Sequence, residues 1–231
     1  MIYKKLRGGI GVVFRPKELK KWIHQRSWVL LVAFCIVGLF YPFIGGLALV
    51  CMLAPVVVAF FKGRIWCGNF CPRGSFNDII LARFSTKRKI PAFLRETWFR
   101  ILVLIGVMSA FIFQLTLAWG NFLSVGRVFV RMIIITTLIT IILGLIYKPR
   151  TWCTFCPMGT MAYFVSKLKN LKLHIKHIQF NKNDCISCNR CTKNCPINID
   201  VLSYKDEGVI SDPNCLKCGV CIAKCPKKAL S

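Results

Sequence analysis

The chain has 231 residues, of which 55% are hydrophobic, with 33 Lys and Arg against 8 Asp and Glu. A mean hydropathy of +0.57 excludes an ordinary water-soluble domain, and the length excludes a large multidomain enzyme. Of the 14 cysteines, all but Cys35 and Cys51 fall in C-x2-C or C-x3-C spacings that end in Pro, which is metal-ligand spacing and not a scattered disulfide framework.

The N-terminal arm, residues 1–26, is basic and lacks a short apolar core followed by a small-residue cleavage site, so no cleaved signal peptide is expected. From Ser27 to Phe61 no residue is charged, and Tyr41-Pro42 and Gly45-Gly46 interrupt the run near its middle. One membrane span needs about 20 apolar residues, so this stretch reads as a hairpin of two short transmembrane helices. Apolar blocks from Ile101 to Gly126 and from Val128 to Tyr147 supply a second pair, with the turn at Trp119-Gly120-Asn121. Segments such as MIIITTLITIILGLIY lack the polar face of a water-soluble helix.

The basic residues fall mostly on one side of these spans. Eight lie in the arm, nine in the loop from Phe61 to Arg100 and fourteen from Lys148 onward, while the outer hairpin loops hold Arg127 and Arg131 alone. The bias predicts cytoplasmic termini and a cytoplasmic central loop in the inner membrane, and it accounts for the charge without nucleic acid. Arg127 and Arg131 are expected to snorkel to lipid headgroups more readily than to line a quinone or partner pocket.

Two stretches repeat. Lys62-Gly-Arg64-Ile-Trp66-Cys67 leads to Cys71-Pro72-Arg-Gly74-Ser75, and Lys148-Pro-Arg150-Thr-Trp152-Cys153 leads to Cys156-Pro157-Met-Gly159-Thr160. Each follows a helix pair, so the membrane domain, residues 27–165, reads as a parallel duplication. The Lys and Arg suit anionic headgroups, and the Trp suits interface depth. Ser75 and Thr160 are expected to cap helices, Ser75 with Asp78 as a capping-box variant, and these helices are amphipathic enough to lie on the membrane surface. Cys67, Cys71, Cys153 and Cys156 should converge about the pseudo-twofold axis. Three readings stay open for them: a third iron–sulfur cluster, redox-active dithiols, and a structural zinc or inert thiols. Cys35 and Cys51 read as small packing residues.

The tail carries the most specific signal. Cys185-x2-Cys188-x2-Cys191-x3-Cys195-Pro196 is the bacterial ferredoxin run, and Cys215-x2-Cys218-x2-Cys221-x3-Cys225-Pro226 repeats it. In this spacing the fourth Cys ligates the other cluster, so one [4Fe–4S] cluster takes Cys185, Cys188, Cys191 and Cys225. The second takes Cys215, Cys218, Cys221 and Cys195. Residues 181–231 are thus an expected ferredoxin domain with two [4Fe–4S] clusters, joined through a linker at 166–180. The fold class expected is an α-helical membrane protein of four transmembrane helices with a small α+β ferredoxin domain. His24 reads as an interfacial residue beside Trp22 more readily than as a quinone contact, and His174 and His177 read as a linker face.

The two W-C-x(2–3)-C-P-x-G motifs at Trp66 and Trp152, each after a helix pair, together with the two ferredoxin runs, resemble the membrane polyferredoxins of the NapH, NosR and CcoG kind. NapH is the nearest in architecture. That resemblance implies an electron-transfer subunit of a quinol dehydrogenase-type complex, passing electrons between the quinone pool or a cytoplasmic donor and partner redox subunits. Two other readings are a metal reductase or assembly factor using the membrane-edge cysteines, and a membrane-anchored redox sensor. The second motif departs from the first in spacing its cysteines C-x2-C, not C-x3-C.

Overall fold

The computed structural model describes residues 16–86, 88–168 and 177–231. Residues 1–15 of the basic arm, and 169–176 of the expected linker with His174, lie outside the described residues.

Four helices are long and apolar enough to cross a membrane, over Trp22–Phe40, Pro42–Lys62, Thr97–Leu117 and Phe122–Ile146. The first belongs to α1 (Pro16–Phe40), which stops before Pro42; that proline opens a 3-10 turn leading into α2 (Gly45–Lys62). Pro55 is accommodated inside α2, and Gly63 ends that helix with a positive φ of 64°. Thr97–Leu117 (α6) and Phe122–Ile146 (α7) form the second hairpin. Gly120 turns it at φ 94°, and the Asn121 side chain accepts a hydrogen bond from the backbone N–H of Leu123.

Gly45 does not break the first hairpin as its sequence suggested. It is helical, and a Cβ there would lie 2.4 Å from the Gly126 carbonyl oxygen. A Cβ on Gly126 would lie 2.0 Å from the Pro42 oxygen, so the glycines let the two hairpins touch backbone to backbone. Arg127 and Arg131 are exposed, one turn apart on α7, although Gly126, Val128, Phe129 and Val130 around them are buried.

The segments after the hairpins differ from expectation. Helices α3 (Ile65–Asn69) and α4 (Pro72–Phe76), a π-helical turn at Asn77–Leu81 and α5 (Ala82–Phe84) follow α2. Helices α8 (Trp152–Phe155) and α9 (Pro157–Lys167) follow α7. Helices α4 and α9 do not lie on a membrane surface, because Ser75, Asn77, Thr160 and Ala162 are all 1% exposed or less. Nor do Ser75 and Thr160 cap them. Cys71 and Cys156 are the N-caps, with Pro72 and Pro157 at the first helical turn, where a missing N–H costs nothing. Ser75 sits inside α4, and its hydroxyl donates to the His24 carbonyl of α1.

The tail forms a small α+β unit. Strands β1 (Ile178–Gln179) and β2 (Val209–Ile210) pair antiparallel, and helices α10 (Arg190–Lys193) and α11 (Val220–Lys224) follow the central cysteines of each run. Gln179 also exchanges backbone hydrogen bonds with Ser231, tying the two ends of the unit together. The unit therefore begins before residue 181, and α9 runs past 166, so the linker is shorter than expected at both ends. His177 contacts this unit through Nδ1, 3.1 Å from the Ile210 oxygen.

Candidate iron–sulfur sites

The two ferredoxin runs fold alike because the same positions leave the usual backbone region. Ser187 and Asn189 in the first run, and Lys217 and Gly219 in the second, all have positive φ, as do Asn198 and Lys228 beyond each Cys-Pro. Three of these six, Ser187, Lys217 and Lys228, are neither Gly nor Asn, and such residues adopt positive φ only where the surroundings over-determine it. Alternating right- and left-handed residues turn successive N–H groups inward, a concavity suited to anions. Ser187 N–H donates to Cys185 Sγ at 3.4 Å, and Ile199 N–H donates to Cys195 Sγ at 3.3 Å.

Two cavities result. The first is lined by Cys185, Cys188, Cys191 and Cys225, and the second by Cys195, Cys215, Cys218 and Cys221. Each takes three cysteines from one run and the fourth from the other. Among the described residues no group of three or more His, Cys, Asp or Glu side chains is placed to hold a single metal ion. Burial pushes the Cys215 thiol up to about 11 and the Cys221 thiol to about 12. Such thiols become thiolates at neutral pH only when a cation takes the proton's place.

The cavities face opposite ways. Around the first, Cys188 and Ile186 are exposed. The second abuts the membrane bundle. Leu216 packs so closely on α3 that a Cβ on Gly68 would lie 2.1 Å from its carbonyl oxygen. Asn69 donates to the Lys217 carbonyl at 3.3 Å, Arg100 to Asn214 at 2.6 Å and Lys148 to the Cys195 carbonyl at 2.8 Å. Cys67 itself packs against the ferredoxin core.

Behind that contact lie Cys67, Cys71, Cys153 and Cys156. Burial raises the thiols of Cys67, Cys71 and Cys153, that of Cys71 to about 12, and the four stand within electrostatic reach of one another. The two motif arginines cross over between the repeats. Arg64 donates to the Cys153 carbonyl at 2.8 Å, and Arg150 donates to the Cys67 carbonyl at 2.6 Å. Gly159 makes room for Arg64 and Gly74 for Arg150, since a Cβ on either would lie 2.7 Å from the guanidinium. Neither arginine reaches headgroups, because both are only 1% exposed. Trp152 is likewise buried, at 3%, against Phe155 and not at an interface.

The crossing is symmetric in geometry and not in charge. Arg150 is held bidentate by Asp78, through Nε at 2.8 Å and Nη2 at 2.6 Å, and His24 Nε2 lies 3.0 Å from the same carboxylate. Among the described residues Arg64 has no carboxylate partner, and its Nε is buried without a hydrogen bond. Taking so large a cation out of water requires negative charge nearby, and the four cysteines are what lies nearby. A thiolate-bound cluster fits that requirement, and four neutral thiols do not.

The sequence reading singled out every one of these cysteines and missed the working parts around them. Arg64, Arg150, Gly74 and Gly159 were visible as conserved features of an internal repeat, but the partner each meets lies in the other copy. Asp78 had a signal too, as one of two acidic residues between Ser27 and Asn183.

Comparison with known proteins finds two families. The family described as a 4Fe-4S binding domain matches residues 44–91 and again 130–176, starting eighty-six residues apart, the offset of the internal repeat. The 4Fe-4S dicluster domain matches residues 184–230. The chain thus carries 4Fe-4S ferredoxin-type domains and four apolar helices. It is 25% identical to an uncharacterized protein of Methanocaldococcus jannaschii over 85% of this chain and 76% of that one. It is 24% identical to YccM of Escherichia coli, whose name assigns it provisionally to electron transport, over 97% of this chain and 66% of that one. Over 31% of this chain and 39% of the relative, it is 32% identical to NAD(P)H-quinone oxidoreductase subunit I of Gloeobacter violaceus. No solved structure matches.

Proposed function

We propose that this chain is a membrane-bound iron–sulfur electron carrier, passing electrons between a lipid-soluble quinone or a cytoplasmic donor and partner redox subunits. In this reading Cys185, Cys188, Cys191 and Cys225 hold an outward [4Fe–4S] cluster. Cys215, Cys218, Cys221 and Cys195 hold an inward one, and Cys67, Cys71, Cys153 and Cys156 hold a third iron–sulfur cluster at the membrane edge.

The observation that carries the proposal is the stacking of sites. An exposed cavity, a cavity docked on the bundle and a half-buried cysteine quartet follow one another, with Cys67 touching the ferredoxin core. Arg150 bridges the last step, for it holds the Cys67 carbonyl while its charge reaches Cys218. A bound cluster supplies one-electron storage; the chain's own residues supply spacing, exclusion of water and fixed positive charge. The names of the YccM and Gloeobacter relatives support a place in electron transport, the second beside a quinone. The charge bias supports a relay on the cytoplasmic side of the inner membrane. The bilayer core is about 30 Å thick, so work on the far side needs a mobile carrier or a partner's cofactor.

Electron paramagnetic resonance of anaerobically purified, reduced protein tests this. Three interacting spectra are expected, and a Cys67→Ser/Cys153→Ser variant should lose one and keep two. Absence of iron and acid-labile sulfide from the parent protein defeats the proposal; two spectra in both samples remove the third cluster.

A further inference from the structure

Arg73 follows Cys71-Pro72, yet its side chain points into the bundle and not out of it. Its Nη2 donates to Thr136 Oγ1 at 2.8 Å and to the Ile133 carbonyl at 3.4 Å, both on α7. Thr136 lies ten residues from the end of that helix at Ile146. The Arg73 charge also reaches Cys35 on α1 and Cys51 on α2, the latter eleven residues before Lys62. At a rise of 1.5 Å per residue, the bond to Thr136 places the guanidinium about 15 Å from the cysteine-bearing end of α7, near the middle of a hydrocarbon layer of about 30 Å.

A cation at that depth is costly, and it marks a site when nothing in the protein neutralises it. Among the described residues Arg73 has no ion-pair partner. Its Nε–H is buried without an acceptor, and so is the neighbouring Thr137 hydroxyl, on a residue 9% exposed. The remaining requirement is a hydrogen-bond acceptor that can arrive from lipid. A phospholipid phosphate stays at the headgroups and cannot reach this depth. The carbonyl of a lipid-soluble quinone can. Arg73 is only half-buried, and its charge also reaches Cys71.

We propose that Arg73, with Thr136 and Thr137, binds the carbonyl oxygen of a quinone inside the bilayer, beside the membrane-edge cysteines. The use of such a site rests on the electron-carrier reading above, whereas binding itself does not. This places the exchange point with the lipid pool between α1, α2 and α7, and not at His24, which is occupied by Asp78.

The test uses the full chain in phosphatidylcholine nanodiscs, with decyl-benzoquinone as probe and binding followed by calorimetry. One site is expected, weakened about tenfold or more by Arg73→Gln, as loss of a charged hydrogen bond implies. Arg73→Lys should restore part of the affinity, Thr137→Val should lower it, and Arg131→Gln should leave it unchanged. Iron and sulfide are measured on every sample, so a failed electron-carrier reading shows as missing clusters whatever the quinone does. Should Arg73→Gln not assemble, Arg73→Lys and Thr137→Val decide. Parent protein that binds no quinone, variants that bind it as well as the parent, or displacement by oleate at equal affinity each overturn the proposal. Oleate would identify a carboxylate site; unchanged variants would reduce Arg73 to a tie between α4 and α7.

Discussion

Asp78 shows how much one carboxylate decides in a chain this basic. Burial on its own would raise its pKa, but the bidentate Arg150 and the adjacent His24 outweigh that and hold it well below the usual carboxylate range. A folded-state pKa below the unfolded one of about 3.9 gives stability that is fully present above that value. The stability is lost as pH falls through the depressed folded value. Asp78→Asn leaves the Arg150 guanidinium buried and unpaired at 1% side-chain exposure. The expected cost is about 3 kcal/mol, the low end for a broken buried pair because Asp78 keeps a 33% exposed side chain. Denaturant unfolding in mixed micelles at pH 7 should show it, and the gap to the parent should narrow at strongly acid pH. An equal loss at all pH values would mean that Asp78 acts by shape alone.

Among the elements, the contact between the hairpins is set by absent side chains. The turn at Pro42 and helix α7 meet where Gly45 and Gly126 face each other, and no flexible group lies between them to give way. Gly126→Ala would put a methyl group 2.0 Å from the Pro42 oxygen, so the helices must part. A loss of about 1–3 kcal/mol is expected, as for other overpacked contacts. Gly46→Ala and Gly106→Ala, which meet nothing within 4 Å, are the controls and should keep the parent's thermal midpoint. These helices also explain why the motif segments are buried. Cys-Pro starts α4 and α9 directly, and their small residues Ser75, Gly74, Gly159 and Ala162 let them sink among the long helices instead of floating on lipid.

At the scale of the whole molecule, the crossed ligand sets separate what sequence neighbours would join. Cys195 belongs to the first run but lines the cavity against the bundle, while Cys225 belongs to the second run and lines the exposed one. Cys195→Ser should therefore disturb the spectrum of the cluster coupled to the membrane-edge site and leave the other intact. Cys225→Ser should do the reverse. Power-saturation measurements distinguish the two, because in the proposed relay only the inward cluster would lie beside a paramagnetic centre at Cys67. Uncrossed losses would show each run ligating its own cluster.

How much of this could be read from residues alone follows the range of the forces involved. Local spacing settled the ferredoxin loops, since three sulfurs at i, i+3 and i+6 need only a tight turn. Charge-free length settled the four spans, since a helix in hydrocarbon satisfies its own backbone. The internal repeat placed Cys67, Cys71, Cys153 and Cys156 together in expectation. Burial of Arg64 and Arg150, their exchange between repeats, the bond from Asp78 and the descent of Arg73 to Thr136 were beyond that reach. Each is a contact between residues sixty or more apart in the chain. A basic residue near an apolar run looks the same whether it faces headgroups or turns inward. The neighbours that decide which are supplied by packing, and composition does not record them.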